Sequence, residues 1–290
     1  MAPFSTVAVL GPGLLGGSIA KAVRERMPSC ELRLWARREE PLQMAKRMGI
    51  TQHTSLDLQE TVRGAELVIL ATPIGAFPRL AESMLPALGR EALVTDVGSV
   101  KGSVHRSIGE LLTKAGHYFV GSHPMAGAEN QGLEYARANL LQDAVVALTN
   151  PHRVPDSLVT LLTDFWKLLG CRTCELTPVQ HDDTVARISH LPHVLAALGA
   201  RSAVGGDVPD EQLQMLASTG FRDTTRVSSG GAAMWADILS GNSPAVLRAI
   251  YESIEDLQQL ARLLEKNDME ELSTWLEQAR SARKRVMPSS

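Results

Sequence analysis

Residues 6–35, TVAVLGPGLLGGSIAKAVRERMPSCELRLW, carry the pattern on which the fold reading turns. An apolar run, Thr6–Leu10, meets the turn Gly11-Pro12-Gly13-Leu14-Leu15-Gly16. An amphipathic stretch follows, with Leu15, Ile19 and Val23 recurring on one helical face. A second β-rich run, Leu32–Trp35, completes the unit. Strand, glycine turn, helix and strand within ~30 residues is the setting in which G-x-G-x-x-G holds a dinucleotide. There Gly11 permits the tight turn, Gly13 lets the backbone approach a pyrophosphate, and Gly16 lets the helix lie close on the sheet. The helix N-terminus offers N–H groups and a positive dipole end to the phosphates. The alternative is a tight turn that binds nothing.

Working outward, the same alternation continues to about residue 176. Further strand candidates are Leu67–Ala71, Leu93–Asp96, Tyr118–Gly121, Ala144–Leu148 and Arg172–Leu176. Compact apolar runs of this kind suit strands covered by helices on both faces. The expected fold class is α/β, a Rossmann-type doubly wound sheet over residues 1–176, followed by an all-helical domain over residues 177–290. In the second part Val179–Gly205 reads as a long helix with Pro192 placed to kink it. Further on, Leu247, Ile250, Ile254, Leu257, Ala261 and Leu264 form an a/d seam that suits packing within the domain or pairing with a second chain. A homodimer through these helices is the expectation.

The cofactor-binding set read from the sequence is Gly11, Gly13, Leu14, Leu15, Gly16, Arg37, Arg38, Thr72 and Pro73. An NAD site usually places a carboxylate at the end of the second strand, ~20 residues beyond the glycines, for the ribose 2′-OH. That position holds Ala36, followed by Arg37 and Arg38, with Glu39 and Glu40 next. Guanidinium groups there suit a 2′-phosphate, so NADP is expected over NAD. If the pair is only solvated surface charge, that preference disappears.

Composition excludes several other classes. The 290 residues carry a net charge of −3, 44% apolar and 21% charged residues, with no reason to expect nucleic acid or an anionic membrane as partner. No apolar run approaches the ~20 residues of a bilayer span. The N-terminus lacks a signal-peptide pattern, so a cytoplasmic location is expected. Three cysteines, Cys30, Cys171 and Cys174, do not make a disulfide framework, and Cys171-x-x-Cys174 enters a strand where a redox pair would open a helix.

Four polar blocks lie outside the glycine turn: Thr95–Lys101 (TDVGSVK), Gly121–Gly127 (GSHPMAG), Ala186–His193 (ARISHLPH) and Ser218–Arg226 (STGFRDTTR). Ligands of doubly wound sheets bind outside the carboxyl ends of the strands, where the first two blocks fall. In this order the blocks resemble the signatures of the prephenate/arogenate dehydrogenase family of tyrosine biosynthesis, over nearly the whole chain. The resemblance implies an NAD(P)-binding domain, a helical dimerisation domain, and oxidative decarboxylation of a cyclohexadienol. The product is 4-hydroxyphenylpyruvate from prephenate, or tyrosine from arogenate.

What such a reaction asks of a protein is position, a proton acceptor for the ring hydroxyl, and complementarity to carboxylates. A histidine suits the acceptor role near neutral pH. By resemblance His123 is the catalytic histidine, and Ser99 bonds the substrate hydroxyl and orients that histidine. On the substrate side, Arg226 grips a carboxylate, although Arg222 lies only four residues earlier. His193 and Ser189 face the substrate from the helical domain, Trp235 either comes from the partner subunit or packs in the core, and Glu129 matches a gating or polar position. Glu129 and His193 tilt the expectation toward prephenate. His190 and His193 with His181 or Asp182 could instead ligate a metal, but the family's reaction needs none, and no metal is expected. Another Rossmann-plus-helical dehydrogenase of the β-hydroxyacid type would carry different motifs in place of SHLPH and FRDTTR. A nucleotide sensor without activity would have no need of His123, Ser99 and Arg226.

Overall fold

The computed structural model describes residues 2–127, Asn130 and residues 132–288. Six strands form a wholly parallel sheet: β1 (Thr6–Leu10), β2 (Glu31–Trp35), β3 (His53–Ser55), β4 (Leu67–Leu70), β5 (Leu93–Asp96) and β6 (Tyr118–Phe119). Their order is β3-β2-β1-β4-β5-β6. The direction of winding reverses beside β1, which is where a doubly wound sheet opens its ligand crevice. Alternate residues feed opposite faces. Val7, Val9, Leu32, Leu34, Leu67 and Ile69 enter one apolar cluster, and Ala8, Leu10, Val68, Leu70 and Val94 enter the other. Both faces are therefore buried, and the near-continuous apolar runs in the sequence follow from that.

A second, three-stranded sheet follows: β7 (Gly121–Pro124), β8 (Val145–Thr149) and β9 (Arg172–Glu175). β7 runs antiparallel to β8, and β9 parallel to it. The expectation of one strand over Tyr118–Gly121 is thus corrected, because the chain leaves the parallel sheet after Phe119 and enters the small sheet at Gly121. The crossing needs glycine. A Cβ on Gly121 would lie 2.5 Å from Thr149 Oγ1 and 3.0 Å from both His105 Nε2 and Lys101 Cδ. Edge strand β3 escaped the sequence reading because His-Thr-Ser shows no apolar alternation.

The long helix expected over Val179–Gly205 is interrupted. Pro178–Val185 is followed by a wide π turn, Ala186–His190, and then by the helix Leu191–Ala203. Pro192 has no N–H to give to the preceding turn, which accounts for the irregularity just before it. Its start is a capping box, in which Thr177 accepts from the Gln180 amide while Gln180 Oε1 accepts from the Thr177 amide. The helices Asp210–Leu216, Thr219–Thr225 and Ala232–Gly241 complete this part, and no strand follows Glu175 among the described residues.

By compactness the chain divides into Met1–Ser243 and Pro244–Ser290. The second unit is a helical pair, the bulk of Ser243–Glu265 and then Met269–Val286, joined by a turn in which Asn267 takes φ 55°. Leu247, Ile254, Leu257 and Leu264 of the seam are exposed. None of the described helices is long and apolar enough to cross a membrane.

Candidate active site

The glycine turn shapes one end of the site. Gly11 takes φ +103°, and a Cβ there would lie 2.7 Å from Thr72 Cγ2. A Cβ on Gly16 would lie 2.2 Å from the Gly11 carbonyl oxygen and 2.9 Å from Ala71 Cβ, so only glycine lets the helix Leu14–Arg26 sit this close. Around Gly13, by contrast, no heavy atom lies within 4 Å of a built Cβ, so its backbone faces open space. The first turn of that helix holds no acidic residue and no side-chain cap. Its N–H groups therefore suit an anionic ligand.

The open space is a groove of about 1140 Å³ lined by Gly11, Gly13, Ala36, Arg37, Arg38, Thr72 and Pro73, all singled out from the sequence apart from Ala36, which stands in the carboxylate position. Arg79, on the helix Phe77–Met84, also lines it and was missed, because nothing local marks an exposed helical arginine. Leu14 and Leu15 do not line the groove, and Leu15 packs on the core instead. Arg38 reaches Glu40 only at 3.9 Å, with both side chains over 70% exposed. A glycine cradle, an uncapped helix end and a basic rim fit a phosphorylated dinucleotide.

His123 lies on β7, paired with Ala147 of β8, and not in a loop beyond a parallel strand as expected. The neighbouring Ser122 ties β7 down. Its amide donates to Asp96 Oδ1 (3.2 Å), its hydroxyl meets Thr95 Oγ1 (2.7 Å), and Trp166 Nε1 donates to that hydroxyl (3.1 Å). Lys101 is fully buried, pairs with Asp96 and donates to the Ser122 carbonyl at 2.8 Å. The segment bearing His123 is thereby anchored to the carboxyl end of β5.

The ring itself is held from the helical segment. His123 Nδ1 lies 2.8 Å from His181 Nε2, and His181 Nδ1 lies 2.8 Å from Asp182 Oδ1. Asp182 is capped in turn, for the amides of Lys101 and Gly102 donate to its two oxygens at 2.8 Å each. A Cβ on Gly102 would intrude to 2.7 Å from Asp182 Oδ2. Burial pushes the Asp182 carboxyl up, but the bonds from His181, Lys101 and Gly102 outweigh it and hold the group below the usual carboxylate range. Burial, with His181, Lys101 and His190 adding to it, drives His123 well below the usual histidine value. His123 is therefore a neutral imidazole at neutral pH, as a proton acceptor must be. In this structure the hydrogen-bond partner of the His123 ring is His181, and no bond links that ring to Ser99.

The remaining residues gather beside this relay. Trp235 stacks on His193 with ring centroids 3.5 Å apart and planes at 12°. Glycine at 230 makes room for the indole, since a Cβ there would lie 2.5 Å from its Nε1. Both rings belong to the same chain, which is the packing alternative for Trp235. His193 is also bonded to the backbone of Val227, which places Arg226, exposed at the start of the turn Arg226–Ser229, next to the stack. Asn242 joins the two groups by donating to the Asp182 carbonyl (2.7 Å) and toward His190 Nδ1 (3.2 Å), while His190 meets Trp235 edge-on. Ser189 is half-buried in the π turn, and Ser99 half-buried next to Val100, on which Gly241 packs. Glu129 lies outside the described residues. Sequence reasoning weighed His181 and Asp182 only as metal ligands and missed Asn242, since nothing in their spacing reveals a contact with β7.

The chain is similar to known proteins over nearly its whole length. Residues 19–175 match the family described as prephenate dehydrogenase, nucleotide-binding domain, and residues 177–278 match prephenate dehydrogenase, dimerization domain. The cyclohexadienyl dehydrogenase of Zymomonas mobilis is 33% identical, over 98% of this chain and 96% of its own. The structure of A. aeolicus prephenate dehydrogenase in complex with hydroxyphenyl propionate and NAD+ superposes with a TM-score of 0.89 at 28% identity, covering 97% of this chain and 98% of that one. Synechocystis arogenate dehydrogenase gives a TM-score of 0.82 at 31% identity, covering 97% of this chain and all of that one. With the glycine cradle, the buried neutral histidine and both halves of the chain matched, this protein belongs to the prephenate dehydrogenase family.

Proposed function

We propose that the chain catalyses NAD(P)-dependent oxidative decarboxylation of prephenate to 4-hydroxyphenylpyruvate in tyrosine biosynthesis. The observation that carries this reading is His123, a buried imidazole kept neutral and oriented by its Nδ1, in a chain of this family. Its Nε2 is the ring nitrogen left to accept the proton of the ring hydroxyl as the substrate is oxidised. When bound, the nicotinamide supplies the hydride acceptor. Ser99 hydrogen-bonds the hydroxyl, Arg226 pairs with a carboxylate, and His193, Ser189 and Trp235 form the wall against the ring, with Glu129 as the gating or polar residue that the family resemblance implies. One charged hydrogen bond of the Arg226 kind contributes ~1.5–3 kcal/mol. Loss of carbon dioxide and aromatisation drive the reaction, so the protein's task is to position the substrate and exclude water.

Arg37 and Arg38, with Arg79 facing the same groove and Ala36 where an acid would bind a 2′-hydroxyl, favour NADP over NAD. Residues 1–176 hold the dinucleotide, and residues 177–290 complete the substrate site and form a cytoplasmic homodimer, for which the exposed seam of Leu247, Ile254, Leu257 and Leu264 is suited. The name of the Synechocystis relative supports arogenate as a second substrate. The test is a four-way assay of prephenate and arogenate with each nicotinamide, following reduced cofactor, on the wild type and His123→Asn. The variant is expected to keep cofactor affinity and lose roughly 10²–10⁴ in turnover. Undiminished turnover removes His123 from the chemistry.

A further inference from the structure

We infer that His181 and Asp182 are positioning residues that set the tautomer of His123 and receive the proton it gathers. This rests on His123 as the proton acceptor. The argument is one of donor and acceptor parity along the chain of bonds. Asp182 accepts from two backbone amides and is held as a carboxylate, so it has no proton to give. The ring nitrogen facing it, His181 Nδ1, must therefore carry the hydrogen. A neutral imidazole has a single N–H, so His181 Nε2 is an acceptor. His123 Nδ1, 2.8 Å away, must then be the donor, and its own single hydrogen is used there. The lone pair of His123 is left on Nε2, the nitrogen that meets the substrate. Reversal of any bond in this series would put a hydrogen on Nε2 and abolish its use as a base.

The same bonds give the incoming proton a destination. The substrate O–H bond breaks as a new N–H forms at His123 Nε2. The Nδ1–H bond of His123 then breaks as the hydrogen passes to His181 Nε2. His181 keeps its Nδ1–H on Asp182, so the positive charge comes to rest on the ring in direct contact with the carboxylate. No proton is created or lost, and His123 returns to neutrality with its hydrogens exchanged between the two nitrogens. A charge left on His123 would face burial together with Lys101 and His190, whereas on His181 it is 2.8 Å from Asp182. The charged or titratable groups around the relay include Lys101 and its partner Asp96, His105 close to Lys101 and Asp182, His190 with His193 beside it, and Asp182 itself, while β8 presents Ala147 opposite His123. Asn242 donates to the backbone carbonyl of Asp182 and so holds the main chain at that residue, while the amides of Lys101 and Gly102 hold its carboxylate.

Two variants and one spectroscopic measurement test this on the full chain. Asp182→Asn puts an NH₂ among donors, and His181→Gln can accept from His123 but cannot hold a proton. Each is expected to lower kcat by about 10²-fold or more with the prephenate KM and cofactor affinity within about threefold of wild type, and to move the acid limb of the kcat–pH profile. A purely structural role would lower affinity and folded fraction and leave that limb in place. In the wild type, ¹⁵N imidazole NMR at neutral pH should show His123 protonated at Nδ1 and bare at Nε2, a result that does not depend on either variant folding. The reverse tautomer overturns the inference, as does wild-type kcat with an unmoved acid limb in both variants. If His123→Asn is itself fully active, the underlying assignment of the base fails and not merely its positioning.

Discussion

Gly121→Ala places a methyl group where the two sheets exchange the chain, and its consequences follow from the atoms around that position. The new Cβ would lie 2.5 Å from Thr149 Oγ1, against the ~3.5 Å at which such atoms rest, so about 1 Å of displacement is required. Thr149 cannot simply rotate away, because its hydroxyl sits 2.7 Å from His105 Nε2 in the buried interior. Lys101 and His105, each 3.0 Å from the methyl position, block the other directions. β7 must therefore yield, and His123 is only two residues along it. Overpacking of this kind costs ~1–3 kcal/mol of stability. A 1 Å misplacement of a reacting group costs on the order of 10² in rate. The expected result is kcat reduced about 100-fold with prephenate as substrate, and a urea midpoint lowered in proportion. Cofactor affinity should stay within about twofold, since the glycine turn belongs to the other sheet. A kcat within threefold of wild type, or a loss confined to cofactor binding, would refute the coupling of Gly121 to His123.

Two further outcomes can be checked directly. Replacing Arg37 and Arg38 by Ala should weaken NADP relative to NAD by about 10–100-fold in Kd, corresponding to a charge-assisted bond of ~1.5–3 kcal/mol. Equal changes for both cofactors would show that the pair is only surface charge. Acid should destabilise the fold through its buried neutral histidines: burial lowers His105 to about 3 and His190 to about 4. Unfolded, each titrates near ~6.5, so below that pH the unfolded chain binds protons that the native state refuses, and stability is present above ~6.5 and lost as pH falls toward these values. At pH 5 the loss is about 2 kcal/mol for His105. Urea titrations at pH 7.5 and 5 should show it, and His105→Gln should remove that share; an unchanged pH dependence in the variant would exclude His105 as the source.

What could be read directly from the chain is what depends on neighbours in sequence. The glycine turn is legible because strand, turn and helix are consecutive and each glycine answers a local steric demand, as Gly11 and Gly16 bear out. The apolar runs of β1, β4 and β5 announce a sheet covered on both faces, because burial on two sides removes the polar alternation. His123, Arg226 and Trp235 stood out through the company they keep in short motifs. β3 did not, for an edge strand of His-Thr-Ser borrows its conformation from β2 and shows no period of its own.

Tertiary structure alone decided the rest. That the chain passes between sheets at Gly121 depends on Thr149 and His105 crowding it from 28 and 16 residues away. That His123 is neutral, and which of its nitrogens faces outward, depends on His181 and Asp182, 58 and 59 residues on. Arg79 reaches the cofactor groove only because its helix follows β4 to the rim of the crevice. A residue's identity and local spacing travel with the chain. Desolvation, hydrogen-bond parity and charge proximity exist only once distant segments have been packed against one another, and those are the quantities that make an imidazole a base.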